Sequence, residues 1–274
     1  MNKLVITCCA SALLTFGATG ALAGDIGLAG STYDWSGGYV GTSVGAALNN
    51  TEFNQNYVYT GQANISIEET DLINGLDFSD TADDAWFTAG ILAGYNWQYS
   101  NFVIGAEADF NYLGFHGTVK HDVSNVMSQV MAPENTTATD RIDYENNWYG
   151  TLRARLGYAI DNFLIYGTGG LAYGEMDINQ KLDASNGDEY ASWNARTNGW
   201  NLGWTLGGGM EYGMGRWTMG AEYLYVDLSS YEWSSNSDVG LLDSTLQDDW
   251  SEVREKGEAA LKFSVARATL KYRF

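Results

Sequence analysis

The chain has 274 residues, a formal net charge of −20, 33 glycines, 18 tyrosines, 10 tryptophans, 10 phenylalanines and a single proline. So acidic a chain is not built to bind nucleic acid, and so glycine- and aromatic-rich a composition departs from that of ordinary soluble enzymes. No stretch after Gly24 is apolar enough to cross a membrane as a helix.

The first residues, MNKLVITCCASALLTFGATGALAG, carry one lysine, an apolar run from Leu4 to about Ala18, and the small-x-small triplet Ala21-Leu22-Ala23. This predicts a secretory signal over residues 1–23, too short to stay as a membrane helix, which needs about twenty apolar residues. Both cysteines, Cys8 and Cys9, fall inside it, without the surroundings of a lipid-modified cysteine. The exported chain therefore builds no disulfide framework. An N-terminal segment, residues 24–36, leads into the first strand.

Eight strand-like segments follow: Gly37 to Leu48, Trp86 to Gln98, Phe102 to Phe115, Trp148 to Ala159, Phe163 to Gly174, Trp200 to Tyr212, Arg216 to Val226 and Ala259 to Phe274. Three connections are tight, at Tyr99–Asn101, Ile160–Asn162 and Gly213–Gly215. Four are long, at 49–85, 116–147, 175–199 and 227–258. Short turns alternating with long loops around an even number of strands are the layout of a transmembrane barrel. Each segment reaches the roughly nine to eleven residues that a tilted strand needs to cross a bilayer. The fold expected over residues 37–274 is all-β, an eight-stranded antiparallel up-and-down transmembrane β-barrel. A soluble lipocalin-type barrel, also eight-stranded, is the competing architecture.

Side-chain parity and aromatic placement separate the two. Phe102, Ile104, Ala106, Ala108 and Phe110 oppose Glu107 and Asp109; Leu152, Ala154, Leu156 and Tyr158 oppose Arg153 and Arg155. Trp204, Leu206, Met210 and Tyr212 oppose Glu211; Met219, Ala221, Tyr223 and Tyr225 oppose Glu222; Arg267, Lys271 and Arg273 interleave with Leu270, Tyr272 and Phe274. The first strand's facing stays open, and the fifth carries no charge in its span. Tracing the chain up and down collects Trp97, Phe102, Tyr158, Phe163, Tyr212, Trp217, Tyr272 and Phe274 at one rim. Phe87, Tyr112, Trp148, Tyr173, Trp200 and Tyr225 collect at the other. Two aromatic rims are interfacial girdles, so lipid takes the apolar face and the charges point into the lumen.

The long loops hold the negative charge. Loop 49–85 has eight acidic residues and no basic one, 116–147 five and two, 175–199 five and two, and 227–258 nine and two. The rest of the exported chain is balanced. These loops are expected on the extracellular side, with the short turns in the periplasm.

The stretches DWSGGYVGTSVG, NWQYSNFVIGAEADFNY, WYGTLRARLGYAIDNFLIYGTGGLAYG, GWTLGGGMEYGMGRWTMGAEYLYVDL and ARATLKYRF resemble the opacity-type, or porin-family, outer-membrane surface proteins of alphaproteobacteria. The resemblance spans essentially the whole exported barrel. It implies a barrel of the outer membrane protein A type in the outer membrane of a Gram-negative bacterium, here with no peptidoglycan-binding domain expected after it. Family members act as envelope-stabilising proteins and surface antigens, and some bind haem. The resemblance also implies outer-membrane lipid, lipopolysaccharide and the barrel-assembly machinery as partners, with a host or haem ligand at the loops as an alternative. Leu270, Tyr272 and Phe274 would serve as the assembly signal.

Eight strands leave an interior that side chains can fill. Glu107, Asp109, Glu211 and Glu222 are therefore expected to pair with Arg153, Arg155, Arg267, Lys271 and Arg273 as a lumen ion-pair network, since buried charges must be compensated. A selectivity lining for a weak small-solute porin is the alternative use of the same residues. No catalytic residue is assigned: His116 and His121 are the only histidines, with no nucleophile placed beside them. As metal or haem ligands they lack a partner cluster, and the pairs Glu68-Glu69 and Asp83-Asp84 lack a calcium-type loop. No cofactor is expected. The reading is a non-catalytic outer-membrane barrel with a structural and surface-antigen role.

Overall fold

The computed structural model describes residues 33–49, 51–59, 77–82, 85–128, 137–185, 190–240 and 253–274. The expected signal, residues 1–23, and the N-terminal segment as far as residue 32 lie outside them. Among the described residues ten strands run in chain order: β1 (Gly37–Asn49), β2 (Thr51–Tyr59), β3 (Phe78–Ala82), β4 (Ala85–Tyr99), β5 (Phe102–Asp122), β6 (Thr137–Ile160), β7 (Phe163–Ser185), β8 (Tyr190–Met214), β9 (Trp217–Gly240) and β10 (Val253–Arg273). One helical turn, α1 (Ser124–Met127), follows β5.

Antiparallel neighbours in the order β1-β4-β5-β6-β7-β8-β9-β10 close into a ring through β1 and β10, in register from Tyr39↔Arg273 to Asn49↔Phe263. Closure leaves no edge in this part of the wall, which is what a chain surrounded by hydrocarbon requires. The Phe274 amide completes the seam by donating to the Gly38 carbonyl at 3.1 Å. The three tight turns have positive φ at their first central residue, Ser100 (56°), Asp161 (52°) and Gly215 (61°). That is the II′-type geometry whose twist matches a two-residue hairpin.

The strands run far beyond the segments that alternation marks out. β5 continues to Asp122, β6 begins at Thr137, β7 reaches Ser185, β8 begins at Tyr190, β9 reaches Gly240 and β10 begins at Val253. The four long connections are thus largely a continuation of the wall, where loops were expected. Connection 49–85 contributes the hairpin β2–β3. β2 takes the β10 edge from Ala260 to Val253 that β1 leaves free, and β3 pairs with β2.

The reason is visible along β7. In its first half Phe163, Ile165 and Leu171 are exposed outward, while Thr168 is buried inside. In its second half Met176, Ile178 and Leu182 are buried inside, while Lys181 and Asp183 are exposed. Alternation persists, but the two faces exchange chemistry where lipid gives way to water. The interior of this upper part is a packed apolar cluster that includes Phe53, Phe115, Ile142, Tyr144, Tyr149, Ile178 and Phe263. Opposite walls touch there, with the Phe53 and Tyr144 rings 5.2 Å apart.

Candidate functional site: the barrel lumen

Inward positions of the lower strands bring eight charged side chains together. Glu107 and Asp109 come from β5, Arg153 and Arg155 from β6, Glu211 from β8, Glu222 from β9, and Arg267 and Lys271 from β10. All are buried. Four acids meet four bases, so the layer is electrically neutral.

Arg153 donates from Nη1 to Glu222 Oε1 at 2.8 Å and from Nη2 to Asp109 Oδ2 at 2.9 Å, and also bonds Glu107. Arg267 donates from Nε to Glu222 Oε2 and from Nη2 to Asp109 Oδ2, both at 2.8 Å. Below them Arg155 reaches Glu211 Oε1 at 2.6 Å, and Lys271 bonds both Glu107 Oε2 (2.6 Å) and Glu211 Oε1 (2.8 Å). Tyr39 and Tyr166 finish the layer. Their hydroxyls donate to Glu107 Oε2 at 2.9 Å and to Glu222 Oε1 at 3.1 Å. The Arg155 guanidinium lies 4.0 Å from the Tyr166 ring centroid. Charges removed from water are tolerable only when so compensated, because an unpaired buried ion costs several kcal/mol or about that order.

Arg273 departs from the expected network. It is only half-buried, donates to the Ser36 carbonyl at 3.2 Å and lies 4.7 Å over the Tyr33 ring. As the inward residue nearest the mouth, it meets the entering chain before it could meet a lumen carboxylate. That entering segment forms a floor. Trp35 is buried among Val103, Ala159, Leu164 and Tyr166, and its backbone amide donates to Gln98 Oε1 at 2.6 Å. The Tyr33 hydroxyl donates to the Gly215 carbonyl at 2.9 Å. Asp34 accepts the Ser36 amide at 2.9 Å, which holds its carboxyl below the usual range.

The lumen therefore has three tiers: an aromatic floor, a neutral ion-pair layer and an apolar roof. Sequence reasoning missed Tyr39, Tyr166 and the floor. Tyr39 lies on the strand whose facing was open, and Tyr166 has the inward parity of β7 but no charge to flag it.

The outer surface of the lower strands is apolar. Val44, Ile91, Ile104, Leu156, Ile165 and Leu206 are all exposed. Ring contacts follow the two rims, with Phe102–Tyr158, Phe163–Tyr212 and Trp217–Tyr272 at the turn side and Trp148–Trp200 and Trp204–Tyr225 at the other. Leu270 and Phe274 are exposed on this outer face and Tyr272 is half-buried between them.

Residues 9–274 match the family model described as the outer membrane protein beta-barrel domain. The chain belongs to that family. It is 34% identical over 201 residues to a 31 kDa outer-membrane immunogenic protein of Brucella melitensis, covering 72% of each chain. It is 30% identical over 162 residues to a 22 kDa outer membrane protein of Rhizobium leguminosarum, covering 59% of this chain and 62% of that one. A 25 kDa outer-membrane immunogenic protein of Brucella abortus is 26% identical over 179 residues, covering 65% and 58%. The barrel is an outer-membrane protein of a Gram-negative bacterium, and lipid takes its apolar face.

The histidines lie in the part of β5 beyond the membrane wall. His116 packs on Trp86 with ring centroids 4.3 Å apart, and His121, five residues on, leaves the opposite face of the strand. The two imidazoles therefore do not converge on one ion or haem. Among the described residues no group of three or more His, Cys, Asp or Glu side chains is placed to hold a metal ion. Glu68-Glu69 and Asp83-Asp84 lie outside the described residues.

Proposed function

We propose that the protein is a closed, non-catalytic barrel that stabilises the outer membrane and carries an acidic surface outward as an antigen. One observation carries this reading: the eight lumen charges cancel within one shared network, between a floor at Trp35 and a roof at Phe115 and Phe263. A conducting pore needs hydrated charges facing a passage, whereas each of these charges has an oppositely charged partner within the layer. The Brucella relatives bear the name outer-membrane immunogenic protein, which supports the antigenic part for this chain. Catalysis has no support in the ion-pair layer, where the carboxylates are held by cations and neither histidine reaches. The test is swelling of proteoliposomes in small sugars. Rates equal to those of protein-free vesicles are expected, and faster swelling with purified wild-type protein would overturn the closed-barrel reading.

A further inference from the structure

One seam of the wall is not knitted above the aromatic rim. β8 pairs with β7 without a break from Phe163↔Tyr212 to Ser185↔Tyr190. Its ladder with β9 stops at Trp204↔Asp227 and resumes only at Asn194↔Asn236. Residues 195–203 of β8 and 228–235 of β9 thus face each other without strand pairing, while β9 stays paired with β10 from Ser230↔Ala260 to Asn236↔Arg254. The breaks at Tyr112/Phe115 and Glu145/Tyr149 are far shorter.

Side chains stand in for the missing ladder. Asn201 Nδ2 donates to the Ser230 carbonyl at 2.8 Å, and Ser229 Oγ donates to the Leu202 carbonyl at 3.2 Å. Ser229 itself has a φ of 62°, a left-handed conformation that a serine adopts at a cost. Trp200 and Leu202, 67% and 62% exposed on the outer face, place the lower end of the break where lipid begins. Unpaired backbone is expensive there.

The inner face of β8 opens over the same stretch. Thr197, Gly199 and Asn201 point inward and are half-buried, whereas Ala195 above them and Thr205 below are buried. Met176 and Ile178, directly opposite Gly199 and Thr197 on β7, are buried as well. Exposure that coincides with the missing ladder and is shut off above at Ala195 enters through the wall, from the β9 side. A Cβ at Gly199 would meet no atom within 4 Å, so there is room behind the strand. Beneath this space the Tyr231 hydroxyl of β9 reaches past β8 and donates to the Gly174 carbonyl at 3.2 Å.

We propose that this break is a lateral window, which admits small neutral amphipathic molecules from the membrane boundary into the space behind β8. The lining sets the class. Met176, Ile178 and Tyr231 offer an apolar bed, the Thr197 hydroxyl and the Asn201 amide offer hydrogen bonds, and none of these residues carries a charge. Molecules with an apolar body and one polar end gather at the level of the window, as the rings of Trp148 and Trp200 do, 4.4 Å apart at the rim. The two side-chain bonds across the seam are its latch, and neutral hydrogen bonds of this kind are weak enough to open.

The test is thiol accessibility in the whole barrel, purified from outer membranes and reconstituted in lipid vesicles, with N-ethylmaleimide as the probe. Cys8→Ser and Cys9→Ser leave each variant a single thiol. Gly199→Cys is expected to react at least about tenfold faster than Ala195→Cys, which lies on the same face of the same strand. Adding Asn201→Ala should speed labelling of Gly199→Cys about threefold or more, because a latch bond is lost. A route down from the top of the lumen would not respond to it. The probe ligand 1-octanol should slow labelling of Gly199→Cys about threefold or more by occupying the space. It should leave Arg216→Cys, exposed at a turn on the opposite rim, unchanged. Heat-modifiable mobility establishes that each variant is folded. Equal rates at positions 199 and 195, or no response to Asn201→Ala, would overturn the window, and no protection by octanol would overturn the ligand class. The ion-pair layer lies further along β8, at Glu211, so none of these outcomes depends on whether the lumen conducts.

Discussion

Arg153 on β6 and Glu222 on β9 meet at 2.8 Å although two other strands separate theirs in the wall. The bond crosses the lumen. Arg153 ties Glu107 and Asp109 of β5 to the same point, so one guanidinium joins three strands through the interior. Replacing Arg153 and Arg155 together with Ala leaves four buried carboxylates facing two cations. Breaking a buried pair from one side costs about 3–5 kcal/mol. The double variant is expected to unfold at clearly lower urea in lipid vesicles, and an unchanged midpoint would mean that water already screens the layer.

Trp35 should matter almost as much, although it precedes the first strand. Its ring is 1% exposed, and removal of a core tryptophan side chain costs about 3–5 kcal/mol. Trp35→Ala is expected to lower stability by about 3 kcal/mol in the same unfolding assay, whereas Trp200→Ala, exposed at the outer rim, should change it far less.

The topology has a direct check. The tight turns at 100–101, 161–162 and 215–216 all lie at the rim where β1 begins and β10 ends. A protease specific for acidic residues, added to intact cells, should cut within the long connections and spare Asp161. Cuts that appear only once the outer membrane is permeabilised would reverse the assignment.

Phe274 and Arg273 test the facing at the closing seam. Phe274 is 75% exposed on the outer face, beside Tyr272 at 5.9 Å, while Arg273 turns inward to Ser36. Phe274→Asp is expected to reduce the folded, heat-modifiable fraction in isolated outer membranes, and Arg273→Ala to reduce it much less. The opposite ranking would shift the inside-outside assignment by one residue.

Period-two alternation made the lower barrel legible. Glu107, Arg153 and Glu222 could be placed inside because their neighbours Ala106, Leu152 and Tyr223 are apolar, and the short turns fixed the strand order. The upper wall was hidden because the rule that identifies a membrane strand, apolar side chains outward, reverses there. Ile142 and Ile178 point in while Arg141, Asp143 and Lys181 point out, so these segments look like acidic loops. Register shifts near the outer rim, between Tyr112 and Phe115 and between Glu145 and Tyr149, further break the pattern. Arg273 was grouped with the lumen charges because parity gives facing but not depth.

The central claim is that the ion-pair layer closes the lumen, and single-channel recording of the purified wild-type protein in planar bilayers tests it most directly. The account predicts no discrete conductance steps for wild type across a wide voltage range, even at high salt. Stable, reproducible steps from the wild-type protein would show a continuous water path past Arg153 and Glu222, and the closed-barrel account would be contradicted.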